Sequence, residues 1–98
     1  MAKNGKTAFF AVEGTLIDGS SKLIQSTVTR IKDLKKQGYT IVLWATKGGR
    51  YAESVAELNN IRNLVDIYIG KPSIVVDSDE FPLRTAQLET PKYLRREF

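Results

Sequence analysis

The hydrophobic positions of this chain fall into short continuous runs separated by stretches with helical spacing. Residues 7–13 form an apolar, aromatic-rich run without Gly or Pro, and residues 39–45 form a second run that is apolar almost throughout. Both runs predict buried strands, and the second is typical of a strand that helices cover on both faces. Between them, apolar side chains at helical spacing predict an amphipathic helix over residues 23–37, on the positions Ile24, Val28, Ile31 and Leu34.

The same alternation continues through the second half of the chain. Apolar positions at helical spacing predict a second helix over residues 51–58, which a pair of Asn residues ends. Short apolar runs at residues 65–69 and 73–77 predict a third and a fourth strand. Strands that alternate with helices predict an α/β fold with a parallel sheet and right-handed crossovers.

Several residues between these elements have predictable local roles. Ser20 or Ser21 can bond the first free amides of the first helix, and Gly38 provides its end. Thr46 opens a glycine-containing loop after the second strand, where it either caps the second helix or binds a ligand. We expect Trp44 in the core beneath a helix.

Residues 79–98 differ in character from the α/β core, which we assign to residues 1–78. Pro82 and Pro91 interrupt this C-terminal extension, and charged residues crowd its end. Its aromatic and aliphatic side chains are too apolar for a free tail, because burial of each would stabilise the protein. We therefore expect the extension to pack on the core or on a partner subunit in a homodimer.

Composition limits the chemistry that the chain can perform. Its 98 residues fit one domain and include neither Cys nor His, which excludes disulfides, thiol catalysis and His-ligated zinc. The formal charge of +4 is modest, and the basic residues of the extension are interspersed with Glu, which argues against nucleic acid as a partner. No apolar run approaches the roughly 20 residues of a membrane span, and we expect a cytoplasmic protein.

Residues 9–16, Phe-Phe-Ala-Val-Glu-Gly-Thr-Leu, end the first strand in a carboxylate and a Gly. This stretch resembles the first motif of the haloacid dehalogenase-like phosphohydrolases, in which Asp-x-Asp-Gly-Thr-Leu closes an apolar strand. The Gly-Thr-Leu part matches the motif. Ala11 stands where the family has its nucleophilic Asp, and Glu13 stands where it has the acid/base Asp.

Three later stretches resemble the remaining motifs of this family, in the family's order. Thr46 closes the second strand and is followed by Lys47 and two glycines, which corresponds to the phosphate-binding motif. Lys71 precedes a Pro and corresponds to the family's Lys. The resemblance therefore implies that Thr46, Lys47 and Lys71 bind phosphate.

The acidic residues correspond to a metal site in this family. Magnesium prefers carboxylate ligands, and there it joins the nucleophile to the phosphate. Asp77 matches the first of two paired acids after the fourth strand, whereas Ser78 replaces the second and Asp79 follows one place late. The resemblance thus implies Glu13, Asp77 and Asp79 as ligands of a weakly bound magnesium ion.

The resemblance also implies a specific architecture. It is a three-layer sandwich with a small parallel sheet of about four strands, in the order third, second, first, fourth, so that the first strand is central. The segment between the first and second motifs has room for one helix only, which implies that there is no cap domain over the site.

The departures from the first motif decide the functional hypothesis. Ala11 offers neither a nucleophile nor a metal ligand, and Glu13 is one methylene longer than Asp. In another enzyme class, loss of the nucleophile costs roughly a million-fold in turnover. The leading hypothesis is a pseudoenzyme, a family member with impaired or lost phosphatase activity that keeps weak phosphate or magnesium binding. Two alternatives stay open: an interaction protein that uses the fold as a scaffold, and an active magnesium-dependent phosphatase with an unusual carboxylate.

A competing motif lies in residues 14–19, where two glycines have the separation of a P-loop between a strand and a helix. Ser20 occupies the position of the required Lys, and Asp18 would repel phosphate from the loop. This alternative, which those two residues disfavour, predicts nucleotide binding at the start of the first helix.

Overall fold

The computed structural model describes residues 3–78 and 86–90. In this part of the chain, strands β1 (Thr7–Ala11), β2 (Thr40–Ala45) and β3 (Ile67–Gly70) form a parallel sheet with β2 in the centre. Helix α1 (Gln25–Lys36) joins β1 to β2, and helix α2 (Gly49–Leu58) followed by a short 3-10 helix (Arg62–Leu64) joins β2 to β3. The predicted α/β fold with a parallel sheet is confirmed. No helix in the described ranges is long and apolar enough to cross a membrane.

Both helices pack on the same face of the sheet. Right-handed crossovers from β1 to β2 and from β2 to β3 progress in one direction across the sheet, which brings successive helices to one side. Within the described residues helices cover one face only, so the expected three-layer sandwich is not confirmed there. The core on the covered face combines alternate strand residues with the apolar stripes of both helices and includes Phe10, Ile41, Leu43, Val28, Ile31, Ala52 and Val55.

The other face of the sheet, here called the open face, carries Phe9, Ala11, Val42, Trp44, Ile67 and Ile69. Phe9, Ile67 and Ile69 are 50%, 44% and 37% exposed, because no helix lies over them in the described part of the chain. Phe9 and Trp44 pack edge to face, with their ring centroids 4.7 Å apart. Trp44 is therefore half-buried on the open face, where no helix of the described residues covers it, contrary to the expectation.

The predicted fourth strand, residues 73–77, does not form. Its apolar side chains at residues 74–76 are between 59% and 94% exposed, and no strand pairs with the outer edge of β1 among the described residues. Only Lys71 and Pro72 separate this segment from the end of β3. A parallel crossover usually needs about a dozen residues, because the chain must return to the opposite end of the sheet. As a result, β1 is an edge strand in the described structure and not the central strand.

The ends of α1 show how local chemistry sets its length. Its N-cap is Ile24, which makes no side-chain cap bond, so the predicted serine cap is wrong. The serines instead belong to a turn in which Asp18 Oδ1 accepts the amides of Ser20 and Lys22, at 2.8 and 3.0 Å. The C-terminal end agrees with the prediction, because Gly38 has a φ of 91° and turns the chain away from the helix.

Asp66 joins several segments at the amino end of the sheet. Its Oδ2 accepts the amide of Ile41 at 2.7 Å, and its own amide donates to the Ile41 carbonyl at 2.9 Å. Lys3 Nζ lies 3.1 Å from Oδ2, and Lys35 Nζ lies 3.6 Å from Oδ1. Burial alone would raise the pKa of Asp66, but the Ile41 amide and the two ammonium groups outweigh it and lower that pKa.

We expect Asp66→Asn to lower the free energy of unfolding by about 1–2 kcal/mol at neutral pH, because the substitution removes a charged acceptor shared by three donors. Since the folded pKa of Asp66 is lowered, its contribution is present above the unfolded value of about 3.9 and is lost as the pH falls through the folded value. Urea unfolding from about pH 7 to about pH 2 measures both effects.

Asp33→Asn, which removes an exposed carboxylate from α1, is the matched control for that experiment. We expect it to change the free energy of unfolding by less than about 0.5 kcal/mol. The assignment of Asp66 fails if Asp66→Asn and the parent protein lose stability equally between neutral and acid pH.

Candidate functional site

The carboxyl ends of the three strands meet at one end of the sheet, where parallel α/β sheets bind ligands. Glu13 follows β1, the loop of residues 46–48 follows β2, and Lys71 follows β3. One carbonyl joins the last two segments, since the Ala45 oxygen accepts the amides of Gly48 and Lys71, both at 3.0 Å. Together with the start of α2, these segments are here called the strand-end site.

Two glycines allow α2 to begin directly against β3. Gly48 has a φ of 105°, which favours Gly over any other residue. A Cβ on Gly49 would lie 2.8 Å from the Tyr68 carbonyl oxygen, so a side chain there would push the helix away from the sheet. The first amides of α2 have no side-chain cap, and the first turn holds no acidic residue. Free amides and the helix dipole both favour an anion at this position.

Two lysines of the strand-end site rest on aromatic rings. Lys47 Nζ lies 4.9 Å from the centroid of Tyr51, and Lys71 Nζ lies 5.9 Å from the centroid of Trp44. Lys47 Nζ is also 3.7 Å from Glu13 Oε2. This ion pair is largely exposed, so it contributes little to stability and can exchange for a stronger anionic partner.

The segment after β1 is a tight turn rather than a continuation of the strand. The Val12 carbonyl accepts the amides of Leu16 and Ile17, at 2.9 and 3.0 Å. Ala11 is partly buried on the open face, opposite Trp44 in the register. The position that the resemblance assigns to the nucleophile therefore presents a methyl group.

The predicted magnesium ligands are only partly within the described structure. Asp79 lies outside the described residues, and Asp77 is exposed. Among residues 3–78 and 86–90, no group of three or more His, Cys, Asp or Glu side chains could hold a metal ion. Glu13 Oε2 lies 3.7 Å from the ammonium group of Lys47, which a magnesium ion would have to displace to gain this oxygen ligand. Magnesium binding stays a prediction.

The P-loop alternative does not agree with the structure. Residues 14–19 lead into a turn, and α1 begins only at Gln25. The amides of Lys22 and Ser20 donate to Asp18 and lower the pKa of its carboxyl group. Amides that would have to bind a phosphate are thus already bound to a carboxylate of the chain itself.

Sequence reasoning missed the roles of Tyr51 and Trp44 in the strand-end site. Helical spacing assigned Tyr51 to a packed helix face, and the continuous apolar run assigned Trp44 to a covered strand. The sequence signal was the position of each residue beside a strand end, where an aromatic ring can make a cation–π contact with a neighbouring lysine. Arg50, in the first turn of α2 next to the glycine loop, also escaped the predicted phosphate-binding set.

Comparisons with known proteins were made for both the sequence and the fold. Neither protein-family models, nor curated protein sequences, nor solved structures match this chain. The likeness to haloacid dehalogenase-like phosphohydrolases therefore rests on the motif residues alone, and a function for the chain has to be argued from the geometry of the strand-end site.

Proposed function

We propose that this chain is a haloacid dehalogenase-like pseudoenzyme that binds a phosphorylated ligand at the strand-end site without hydrolysing it efficiently. The observation that carries the proposal is the double acceptor at Ala45, which holds the glycine loop beside Lys71. The motif residues that follow β1, β2 and β3 lie at the same end of the sheet, because the three strands are parallel. This arrangement supports the resemblance, in which the motifs together form one site.

The chemistry of this end of the sheet suits a phosphate group. A phosphate at the start of α2 would accept hydrogen bonds from free amides and gain from the helix dipole. Thr46 adds an exposed hydroxyl, and the ammonium groups of Lys47 and Lys71 supply charge-assisted donors. Among the described residues, Lys71 makes no ion pair with a carboxylate within 4.0 Å.

The same residues argue against efficient hydrolysis. Ala11 cannot attack phosphorus, and no covalent intermediate can form at a methyl group. Glu13 Oε2 lies 3.7 Å from the ammonium group of Lys47, and the longer Glu side chain replaces the Asp of the family motif. Only α1 and a turn lie between β1 and β2, so the site has no cap there and is open to a bulky ligand.

A specific observation favours a second candidate function, that of an interaction protein. The open face exposes Phe9 on β1 and Ile67 and Ile69 on β3, on either side of the central strand β2. Large apolar side chains exposed on one face can mark a surface that binds another protein. A protein partner on the open face is compatible with phosphate binding, since the strand-end site lies at the end of the strands.

We expect inorganic phosphate to shift the amide resonances of residues 46–50 together with that of Lys71, because both segments share the Ala45 carbonyl. A titration of the isotope-labelled protein followed by NMR measures this binding. Lys71→Gln should weaken it about tenfold, because it removes a charge-assisted hydrogen bond.

Lys32→Gln makes the same charge change on the exposed side of α1, far from the strand ends, and should leave the phosphate affinity unchanged. Equal weakening by both substitutions would mean that phosphate senses only net charge, which would overturn the proposed site. A parallel titration with magnesium chloride tests the predicted metal ligands. If they bind the ion, their amide resonances should shift, whereas those of the glycine loop should not.

We expect hydrolysis of p-nitrophenyl phosphate with magnesium to stay near the rate of the uncatalysed reaction, because residue 11 is Ala. The release of p-nitrophenol measures turnover. A fast reaction that disappears in Glu13→Gln would show that Glu13 has become catalytic, and the active phosphatase would then replace the pseudoenzyme as the best description.

We expect Ala11→Asp alone to restore little activity, because Glu13 and Ser78 still depart from the family motifs. The triple variant Ala11→Asp, Glu13→Asp, Ser78→Asp should be faster in the same assay. Full activity from the single substitution would contradict the proposal that the whole site has diverged from catalysis.

A further inference from the structure

Among the described residues, no strand pairs with the outer edge of β1. The Val12 amide donates to the Trp44 carbonyl of β2 at 3.2 Å, and alternation along the strand directs the backbone groups of Thr7, Phe9 and Ala11 away from β2. Among residues 3–78 and 86–90, the Ala11 carbonyl has a partner, the amide of Leu16 at 3.2 Å, and the other groups have none in the backbone hydrogen bonding of this part of the chain. Unpaired groups of this kind are a template for another strand.

A groove runs along this edge and has a volume of about 740 Å³. Phe9 and Trp44 line it from the open face, Leu34 lines it from α1, and Val75 and Leu88 also line it. The groove therefore combines a strand edge with apolar side chains, as an added β-strand requires.

The same chain carries a strand-like segment, residues 74–76, that pairs with no strand among the described residues. Ile74, Val75 and Val76 are β-branched, belong to no strand and are 82%, 59% and 94% exposed. Their side chains are suited to a half-buried pleated surface. An open strand edge and an exposed β-branched segment thus occur together in one molecule.

The segment cannot pair fully with β1 of its own chain. A parallel arrangement is excluded by the short connection after β3. An antiparallel arrangement would have to begin beside the carboxyl end of β1, which is three strand spacings, or about 14 Å, from Gly70. The three residues that follow Gly70 reach at most about 11 Å, so the start of the segment cannot arrive there.

We propose that two copies of this chain exchange residues 73–77, so that each copy's segment adds a fourth strand to the outer edge of β1 in the other copy. In a dimer with a two-fold axis, the outer edges of both β1 strands are paired, because each copy donates one segment and receives one. In the dimer the length of the connection after β3 no longer prevents pairing, and the exchanged segment covers the apolar groove. It does not depend on phosphate binding at the strand-end site.

Sedimentation velocity over a concentration series tests the exchange, and the parent protein should be a dimer. The double variant Ile74→Lys, Val76→Lys places charges on the donated segment and should be monomeric. Thr7→Pro blocks the receiving edge without removing a hydrogen bond to β2, since the Thr7 amide points outward, and should also be monomeric. Leu58→Lys, at a position 82% exposed on α2, is the control and should remain dimeric.

An equimolar mixture of the two monomeric variants distinguishes exchange from other dimers. The double-Lys variant keeps an intact edge and the Thr7→Pro variant keeps an intact segment, so the mixture should form a heterodimer. Circular dichroism melting verifies that each variant is folded, which is expected because all three substituted positions are exposed. A monomeric parent protein, a double-Lys variant that remains dimeric, or a mixture that remains monomeric would each overturn the proposal.

Discussion

The hydrogen bonding of β2 on both of its edges is the constraint on which the rest of the structure depends. Its residues pair with β1 on one side and with β3 on the other, and Ile41, Val42, Leu43 and Ala45 are almost fully buried. Asp66 secures the amino end of this arrangement through the Ile41 amide and carbonyl. The Ala45 carbonyl secures the carboxyl end by accepting two amides, so the same strand that organises the core also positions the strand-end site.

The short connection after β3 has consequences for the whole molecule. Because two residues cannot return the chain to the amino end of the sheet, no strand is added beside β1 in the described residues. In this part of the chain, one face of the sheet has no helices and the outer edge of β1 has no partner strand. Both features suit association with another chain, whereas the covered face and the strand ends are as expected for a parallel α/β sheet.

The strand-end site offers a favourable setting for an anion. The glycine loop, the start of α2 and the two lysines in contact with Tyr51 and Trp44 all favour negative charge. Glu13 pairs with Lys47 in the described structure, and Ala11 contributes only a methyl group. The groups that favour an anion and the motif positions after β1 are therefore different residues at the same end of the sheet.

The sequence by itself determined the parallel α/β class, the two helices and the strand ends at which Glu13, Thr46 and Lys71 lie. These features follow from local periodicity and from turn residues such as Gly38, which act over a few neighbouring positions. Only the tertiary structure decided that both helices share one face, that Trp44 lies on the open face and that residues 73–77 do not join the sheet. Periodicity shows that a segment can be a strand, but the length of the connection and the available strand edges decide whether it is one.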